Sequence, residues 1–373
     1  MGMSRRDLLT ASALVLARPG AAISAANTAR TLPASDPRAL VLCWNENPYG
    51  PGPAARAMLG STIAQSSRYP DSDIQQFIAA LAEHEGTNPE SIVTGTGSGE
   101  LLCALGLLHG RAGGEIIAAQ PTYEELATYA LRSGATLKFV PLDEQFRHDL
   151  TAMRAAVSER TRAVYICNPN NPTGTAIGAT AIRAFVESLP EQVTTIVDEA
   201  YMDFAVGTDL RSVADLIGTG RRLVVLRTFS KIHGMAGVRC GYAIARPDIA
   251  TDIANARMTT PSILALRAAR ASLADRAFLT DCRRRILASR ARITTELVRL
   301  GLKYAEPQGN FVFFDTGMPI ERFAAQMRAR NILVGRRFAP YESWCRITIG
   351  TEPEVEVFLK ELGAVTTADH GAV

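Results

Sequence analysis

The chain has 373 residues, more than one hydrophobic core usually supports, so two domains are expected. Apolar residues make up 47% and charged residues 21%, the balance of an ordinary soluble globular protein. A net charge of +3 argues against a nucleic-acid polyanion as partner.

The chain opens on a twin-arginine start, Ser4-Arg5-Arg6-Asp7-Leu8-Leu9. The apolar stretch Leu8 to Ala17 follows, too short to span a bilayer, and small residues around Ala22 to Ala26 offer a cleavage site. Residues 1–26 are therefore expected to direct export, and this start resembles the signal of a pathway that carries proteins already folded. Retention in the cytoplasm is the alternative. No later segment has 18 uninterrupted apolar residues, so the mature chain is expected to have no membrane span.

From about residue 90 to 245, short apolar runs alternate with helical patterns. Strands are expected at Glu115–Ala119, Thr136–Val140, Arg162–Cys167, Thr194–Val197, Leu223–Leu226 and Gly241–Ala245. Helical patterns fall at Gly99–Leu108, Tyr123–Arg132, Asp149–Ser158 and Ala179–Ser188. Such alternation, with nearly continuous apolar strands, predicts an α/β fold around a mainly parallel sheet covered on both faces. After about residue 248 long helical patterns dominate. Strand-like pieces at Asn310–Phe314 and Cys345–Ile349 suggest a second, smaller α+β unit. The basic run Arg283-Arg284-Arg285, with Arg290 and Arg292, reads as a solvated helix face.

The six cysteines form no CxxC pair; Cys43, Cys167 and Cys240 lie in apolar, strand-like runs and read as small buried hydrophobes. The five histidines show no ligand spacing, so no metal site is expected.

Ligands of open α/β sheets sit outside the carboxyl ends of the strands. Polar residues gather at three such ends: Asn168-Pro169-Asn170-Asn171-Pro172-Thr173-Gly174, Asp198-Glu199-Ala200-Tyr201, and Thr228-Phe229-Ser230-Lys231. A lysine just past a buried strand can be desolvated, which makes its neutral amine a nucleophile toward an aldehyde. An acid ending an apolar strand, as Asp198 does, needs a positive partner. A protonated pyridine nitrogen is such a partner, and protonation makes that ring an electron sink. Gly95-Thr96-Gly97-Ser98-Gly99-Glu100 precedes an apolar helix whose N–H groups could cradle a phosphate. Glu100 fits ordinary first-turn capping there. Arg239 adds a cation, with hydroxyls from Thr228 and Ser230.

With these motifs in order, the chain resembles a fold-type-I pyridoxal-phosphate aminotransferase of class I/II, nearest to the histidinol-phosphate aminotransferase family. The resemblance runs from Asn45-Glu46-Asn47-Pro48-Tyr49-Gly50 to Cys345-Arg346-Ile347-Thr348-Ile349-Gly350. It implies a homodimer with a shared active site, an amino donor and a 2-oxo acid acceptor such as 2-oxoglutarate. It also implies residues 27–65 joining the small domain, a large cofactor-binding domain at 66–260 and a small C-terminal domain at 261–373. Lys231 would carry pyridoxal 5'-phosphate. Asp198 would meet its ring nitrogen, Asn171 and Tyr201 its phenolic oxygen, and Tyr123 its ring face. Ser98, Gly99, Thr228, Ser230 and Arg239 would hold its phosphate. Arg346 would clamp the substrate carboxylate, with Tyr49 beside the substrate and Tyr69 reaching the neighbouring subunit's site.

Two positions depart from the family. Gly99 stands where aspartate is common. Gly335, before Arg336 and Arg337, stands where an arginine often reads the substrate's phosphate after the strand Ile332-Leu333-Val334. Either the cation comes from a shifted position or the donor carries no phosphate, and the second is the expectation. A decarboxylase of the threonine-phosphate decarboxylase type shares the cofactor and is the alternative reaction.

Overall fold

A computed structural model describes residues 39–370; the twin-arginine start, its apolar stretch and the cleavage site lie outside the described residues. Strand β1 (Leu40–Val41) leads into helices α1 (Pro53–Thr62) and α2 (Asp71–Glu85). The alternating section holds β2 (Ile92–Gly95), α3 (Ser98–Gly110), β3 (Glu115–Gln120), α4 (Glu125–Arg132), β4 (Thr136–Pro141), α5 (Leu150–Ala155) and β5 (Thr161–Cys167). It continues with α6 (Ala179–Ser188), β6 (Thr194–Asp198), β7 (Leu223–Thr228) and β8 (Gly241–Ala245). Helices α7 (Pro247–Ala256), α8 (Ile263–Ala274) and α9 (Arg276–Arg299) follow. The chain ends on β9 (Phe311–Asp315), α10 (Ile320–Arg328), β10 (Ile332–Leu333), β11 (Trp344–Thr348) and α11 (Glu352–His370).

Strands β2 to β8 form one seven-stranded sheet in the order β2-β8-β7-β6-β5-β3-β4. The pairings among β3, β4, β5, β6 and β7 are parallel, whereas β8 runs antiparallel to both β7 and β2. The α/β fold with a mainly parallel sheet is therefore as expected. Alternate strand residues feed two cores. Val164, Ile166, Val197 and Val225 pack on one face, and Tyr165, Cys167, Ile196 and Leu226 on the other. That double burial is why the strands read as continuous apolar runs rather than alternating ones. A third core joins β9 and β11 to α9, α10 and α11. Helices α1 and α8 send Ala55, Ala265, Leu266 and Ala269 into the core beneath the large sheet, so that core draws on chain from both sides of the 66–260 segment.

Several helices end where side chains take over backbone hydrogen bonds. Asp149 caps α5 by accepting from the Ala152 N–H (2.9 Å). That helix stops short of the expected Ser158, whose N–H instead donates to Thr161 Oγ1 (2.9 Å) in the turn before β5. Glu125, rather than Tyr123, begins α4. Cys43 lies beyond β1, not in a strand, and Cys240 precedes β8; none of the six cysteines is joined in a disulfide. The basic run is not simply a solvated face. Arg290 is buried and donates to the carbonyls of Phe204 (3.0 Å) and Gly309 (3.1 Å), and burial lowers its pKa to about 10. Arg283 donates to the Asp203 and Ala205 carbonyls (2.6 and 2.7 Å), and Arg285 lies over the Tyr49 ring (3.9 Å). The Arg283 and Arg290 guanidiniums thus satisfy backbone carbonyls outside the sheets.

Candidate active site

The three polar strand ends converge because β5, β6 and β7 are consecutive parallel neighbours. Asp198, the last residue of β6, is buried beside Cys167 of β5. Its carboxylate accepts from the Ala200 N–H (3.1 Å) and the Tyr165 hydroxyl (3.2 Å), both neutral donors. Burial raises its pKa to about 6, against the pull of those two donors and of Lys231.

Lys231 follows β7 and is half-buried in the same crevice. Its Nζ donates to the Asn45 carbonyl (3.0 Å) and lies 5.3 Å from the Tyr201 ring centre. Burial, and then the positive charge of Arg346, bring its pKa down to about 8, while Glu46 and Asp198 oppose the shift. At neutral to mildly alkaline pH a substantial share of this amine is unprotonated, as a nucleophile toward an aldehyde requires.

Tyr201 accepts at its hydroxyl from Asn171 (3.3 Å) and Asn45 (3.2 Å), and burial holds it protonated. Tyr123 faces the same crevice, and its phenol pKa too is raised, first by burial and then by Glu125. Arg346 is buried, donating to Asn171 Oδ1 (2.6 Å) and the Cys43 carbonyl (2.8 Å). Its Nε is buried with no hydrogen-bond partner. A guanidinium held on two sides whose Nε–H has no partner can receive a carboxylate.

At the head of α3, Gly97 adopts φ 86°, and a side chain there would collide with the Arg239 guanidinium. Ser98 and Gly99 thus open the helix directly under Arg239, which itself holds a left-handed φ of 64°. Arg239 reaches Ser230 Oγ (3.4 Å) and the Thr96 carbonyl (3.4 Å), and the Thr228 hydroxyl donates to Ser230 Oγ (3.0 Å). Glu100 turns away to accept from Thr96, Met258 and Thr259 N–H groups (2.7, 3.1 and 2.8 Å), so instead of capping the N–H groups of α3 it ties the preceding turn to the segment after α7. What remains is a helix N-terminus, hydroxyls and a guanidinium around one point, a donor set for a phosphate.

Tyr49 sits against Arg285 with its hydroxyl buried and without a partner. Tyr69 is 93% exposed, and the sequence expectation sends it to another subunit. Asn45 and Asn170 contribute in ways the sequence does not disclose. Asn45, at a left-handed φ of 54°, touches both Lys231 and Tyr201. Asn170 accepts from Thr122 (2.8 Å), donates to the Pro121 carbonyl (3.2 Å) and meets His148 Nε2 (3.2 Å), tying the Tyr123 segment to the Asn171 loop. Arg336 stands near Arg346, whose pKa is lowered first by burial and also by that neighbouring charge. Asn45 and Asn170 sit inside motifs the sequence displays, but which face each presents depends on turns that no periodicity encodes.

A family model, aminotransferase class I and II, matches residues 37–362. The chain belongs to this family. It is 36% identical over 325 residues to a histidinol-phosphate aminotransferase of Moorella thermoacetica, covering 86% of this chain and 84% of that one. It is 37% identical over 328 residues to an aromatic amino acid aminotransferase of Rhodococcus jostii, covering 87% and 89%. A solved histidinol-phosphate aminotransferase from Sinorhizobium meliloti, in complex with pyridoxal-5'-phosphate, superposes with a TM-score of 0.82 at 29% identity, covering 88% and 91%. The protein is thus an aminotransferase that uses pyridoxal phosphate, and the decarboxylase alternative is set aside. The residues fit that cofactor. The buried Asp198 has only neutral hydrogen-bond partners, and a protonated ring nitrogen would supply the cation it lacks; the half-buried Lys231 would suit the aldehyde, and the α3 head the phosphate.

Proposed function

We propose that this aminotransferase takes its amino group from an unphosphorylated amino acid with an aromatic side chain and passes it to a 2-oxo acid such as 2-oxoglutarate. The bound cofactor supplies an electron sink for the bond broken at the donor's α carbon. Lys231 carries the cofactor and moves the proton to and from that carbon. Asp198 keeps the ring nitrogen protonated, Asn171 and Tyr201 hold the phenolic oxygen, and Tyr123 covers the ring. Ser98, Gly99, Thr228, Ser230 and Arg239 bind the phosphate. Arg346 binds the α-carboxylate, with Tyr49 alongside.

The observation that carries the substrate reading is at Gly335. A side chain at this position would collide with the Arg346 carbonyl oxygen, which Gly335 N–H also approaches at 3.0 Å. An arginine therefore does not fit where the resemblance leads one to seek it. The two neighbouring cations are already engaged: Arg336 with Glu124 (2.9 Å) and Arg337 with Glu342 (2.6 Å). Around Arg346 the walls are aromatic, with its guanidinium 5.0 Å from the Phe338 ring centre and 5.7 Å from Phe311. The similarity to aromatic amino acid aminotransferases accords with this reading. Steady-state kinetics with phenylalanine, tyrosine and histidinol phosphate test it; a specificity ratio strongly favouring histidinol phosphate overturns it.

Two further properties belong to the same proposal. The enzyme acts as a homodimer in which Tyr69 completes the partner's site, a reading supported by its exposure. It is exported in folded form, supported by Arg5-Arg6 and the short apolar stretch after them. Fractionation of cells expressing the full chain and the variant with Arg5→Lys and Arg6→Lys checks export. Full-length enzyme confined to the cytoplasm, or export unaffected by the change, refutes it.

A further inference from the structure

Tyr165 lies on the face of β5 that packs against Ile196 and Leu226, and it is fully buried. A phenol at such a site must place its hydroxyl on a partner, because an unmatched buried hydroxyl is costly. Its hydroxyl donates to Asp198 Oδ2 (3.2 Å), and the Ala200 N–H takes Oδ1 (3.1 Å). Strand register makes this contact: Tyr165 pairs with Ile196, so Asp198 is its diagonal neighbour on the same face. The two donors come from different segments and hold one oxygen each, so the carboxylate cannot swivel freely about its last bond.

We propose that Tyr165 is a positioning residue that acts through Asp198, orienting its carboxylate and favouring its ionised form, and so strengthening its hold on the cofactor's ring nitrogen. This goes beyond the substrate reading above and is the same for any donor. Tyr165 stays a donor at all working pH values, since burial pushes its own pKa far up. The other titratable groups facing Asp198 are Cys167 on β5, Tyr123, Tyr201, Glu199 and Lys231. Tyr165 itself is the neighbouring side chain whose hydroxyl donates to the carboxylate. Removing that donor leaves Asp198 more basic, so the ring nitrogen's proton is shared more with the carboxylate and the ring withdraws less charge.

Tyr165→Phe keeps the ring volume and deletes the hydroxyl. In the loaded enzyme, the pH midpoint of the cofactor's visible absorbance is expected to move upward by about half a unit to one unit. The dissociation constant for pyridoxal phosphate is expected to rise about threefold to tenfold. Repeating the change in an Asp198→Ala background separates positioning from packing. There, Tyr165→Phe is expected to move neither quantity, because the group it acts through is gone. A purely structural role would lower the melting temperature while leaving the absorbance midpoint in place. An unchanged midpoint in the Asp198 enzyme overturns the proposal, and so does an equal shift in the Asp198→Ala background.

Discussion

The floor of the active site and its mouth are built in opposite ways. The floor, comprising Asn171, Asp198, Tyr201, Thr228, Ser230 and Lys231, comes from short motifs that follow three adjacent parallel strands. Each motif is contiguous in the chain, and the sheet brings them together as a consequence of its order. The mouth draws on distant pieces. Arg346 reaches back to Asn171 and to the Cys43 carbonyl, and Arg336 crosses to Glu124. Parallel-strand architecture concentrates chemistry at one edge, whereas selectivity is assembled from loops that share no pattern.

If that division is right, changes in the floor should disable chemistry for every donor, and changes in the mouth should act selectively or weakly. Lys231→Ala carries the largest expected loss. Turnover should drop by about 10²–10⁴-fold or more, the range for a lost proton-transfer group, and the cofactor's visible absorbance should disappear. Near-normal turnover in the variant would place the proton transfer elsewhere.

Arg346 joins mouth to floor, so its removal should be costly yet uniform. Arg346→Ala should reduce kcat/KM by about 2–5 kcal/mol, since a substrate carboxylate would be left unpaired in a partly desolvated site. Both half-reactions should suffer, whatever the donor's side chain. A loss confined to one donor would make Arg346 a selectivity residue instead.

Asp198 sharpens the contrast through stability. Its pKa of about 6 in the folded protein lies above the ordinary 3.8. The folded state therefore holds this proton more tightly than the unfolded state does. The stabilisation is fully present below about pH 4 and is lost as pH rises through about 6. In the cofactor-free protein at pH 7–8, Asp198→Asn should thus be stabilising relative to the native residue, by up to about 3 kcal/mol. Denaturant titrations of both proteins from pH 4 to 8 check this, the difference growing with pH, while turnover of the asparagine variant falls. A difference independent of pH would mean that the buried carboxylate carries no such strain.

The smallest effect is expected at Arg336. Its pair with Glu124 is half exposed on both sides, and such pairs contribute about 0–1 kcal/mol. Arg336→Ala should change kcat/KM for an aromatic donor by less than about fivefold. A large loss specific to histidinol phosphate would show that this cation had taken over phosphate reading.

The sequence disclosed the floor because each motif sits where an apolar run stops. Apolar runs such as Ile116–Ala119 and Val164–Cys167 are buried on both faces and so stood out plainly. The mouth was harder. Arg336 and Arg337 were visible as cations, but only the close approach of Gly335 to the Arg346 carbonyl explains why neither stands in the expected place. Arg290 was misjudged because helical spacing says which residues share a face, not which loop will cover it. Tyr165 read as one more large residue in a buried strand, and only register relates it to Asp198.

The connection between β7 and β8 carries both Lys231 and Arg239, and it is closed at its base by the Phe229 N–H bonded to the Cys240 carbonyl (3.0 Å). Because β8 turns back antiparallel to β7, the proposed roles of Lys231 and Arg239 would put both anchors of the cofactor, for its aldehyde and its phosphate, on a single loop. Local opening of that one segment would then release both anchors together, so capture and escape of the cofactor would be a single cooperative event rather than two independent ones. A loaded cofactor would brace this loop against the head of α3, and its loss would loosen the very segment needed to rebind it.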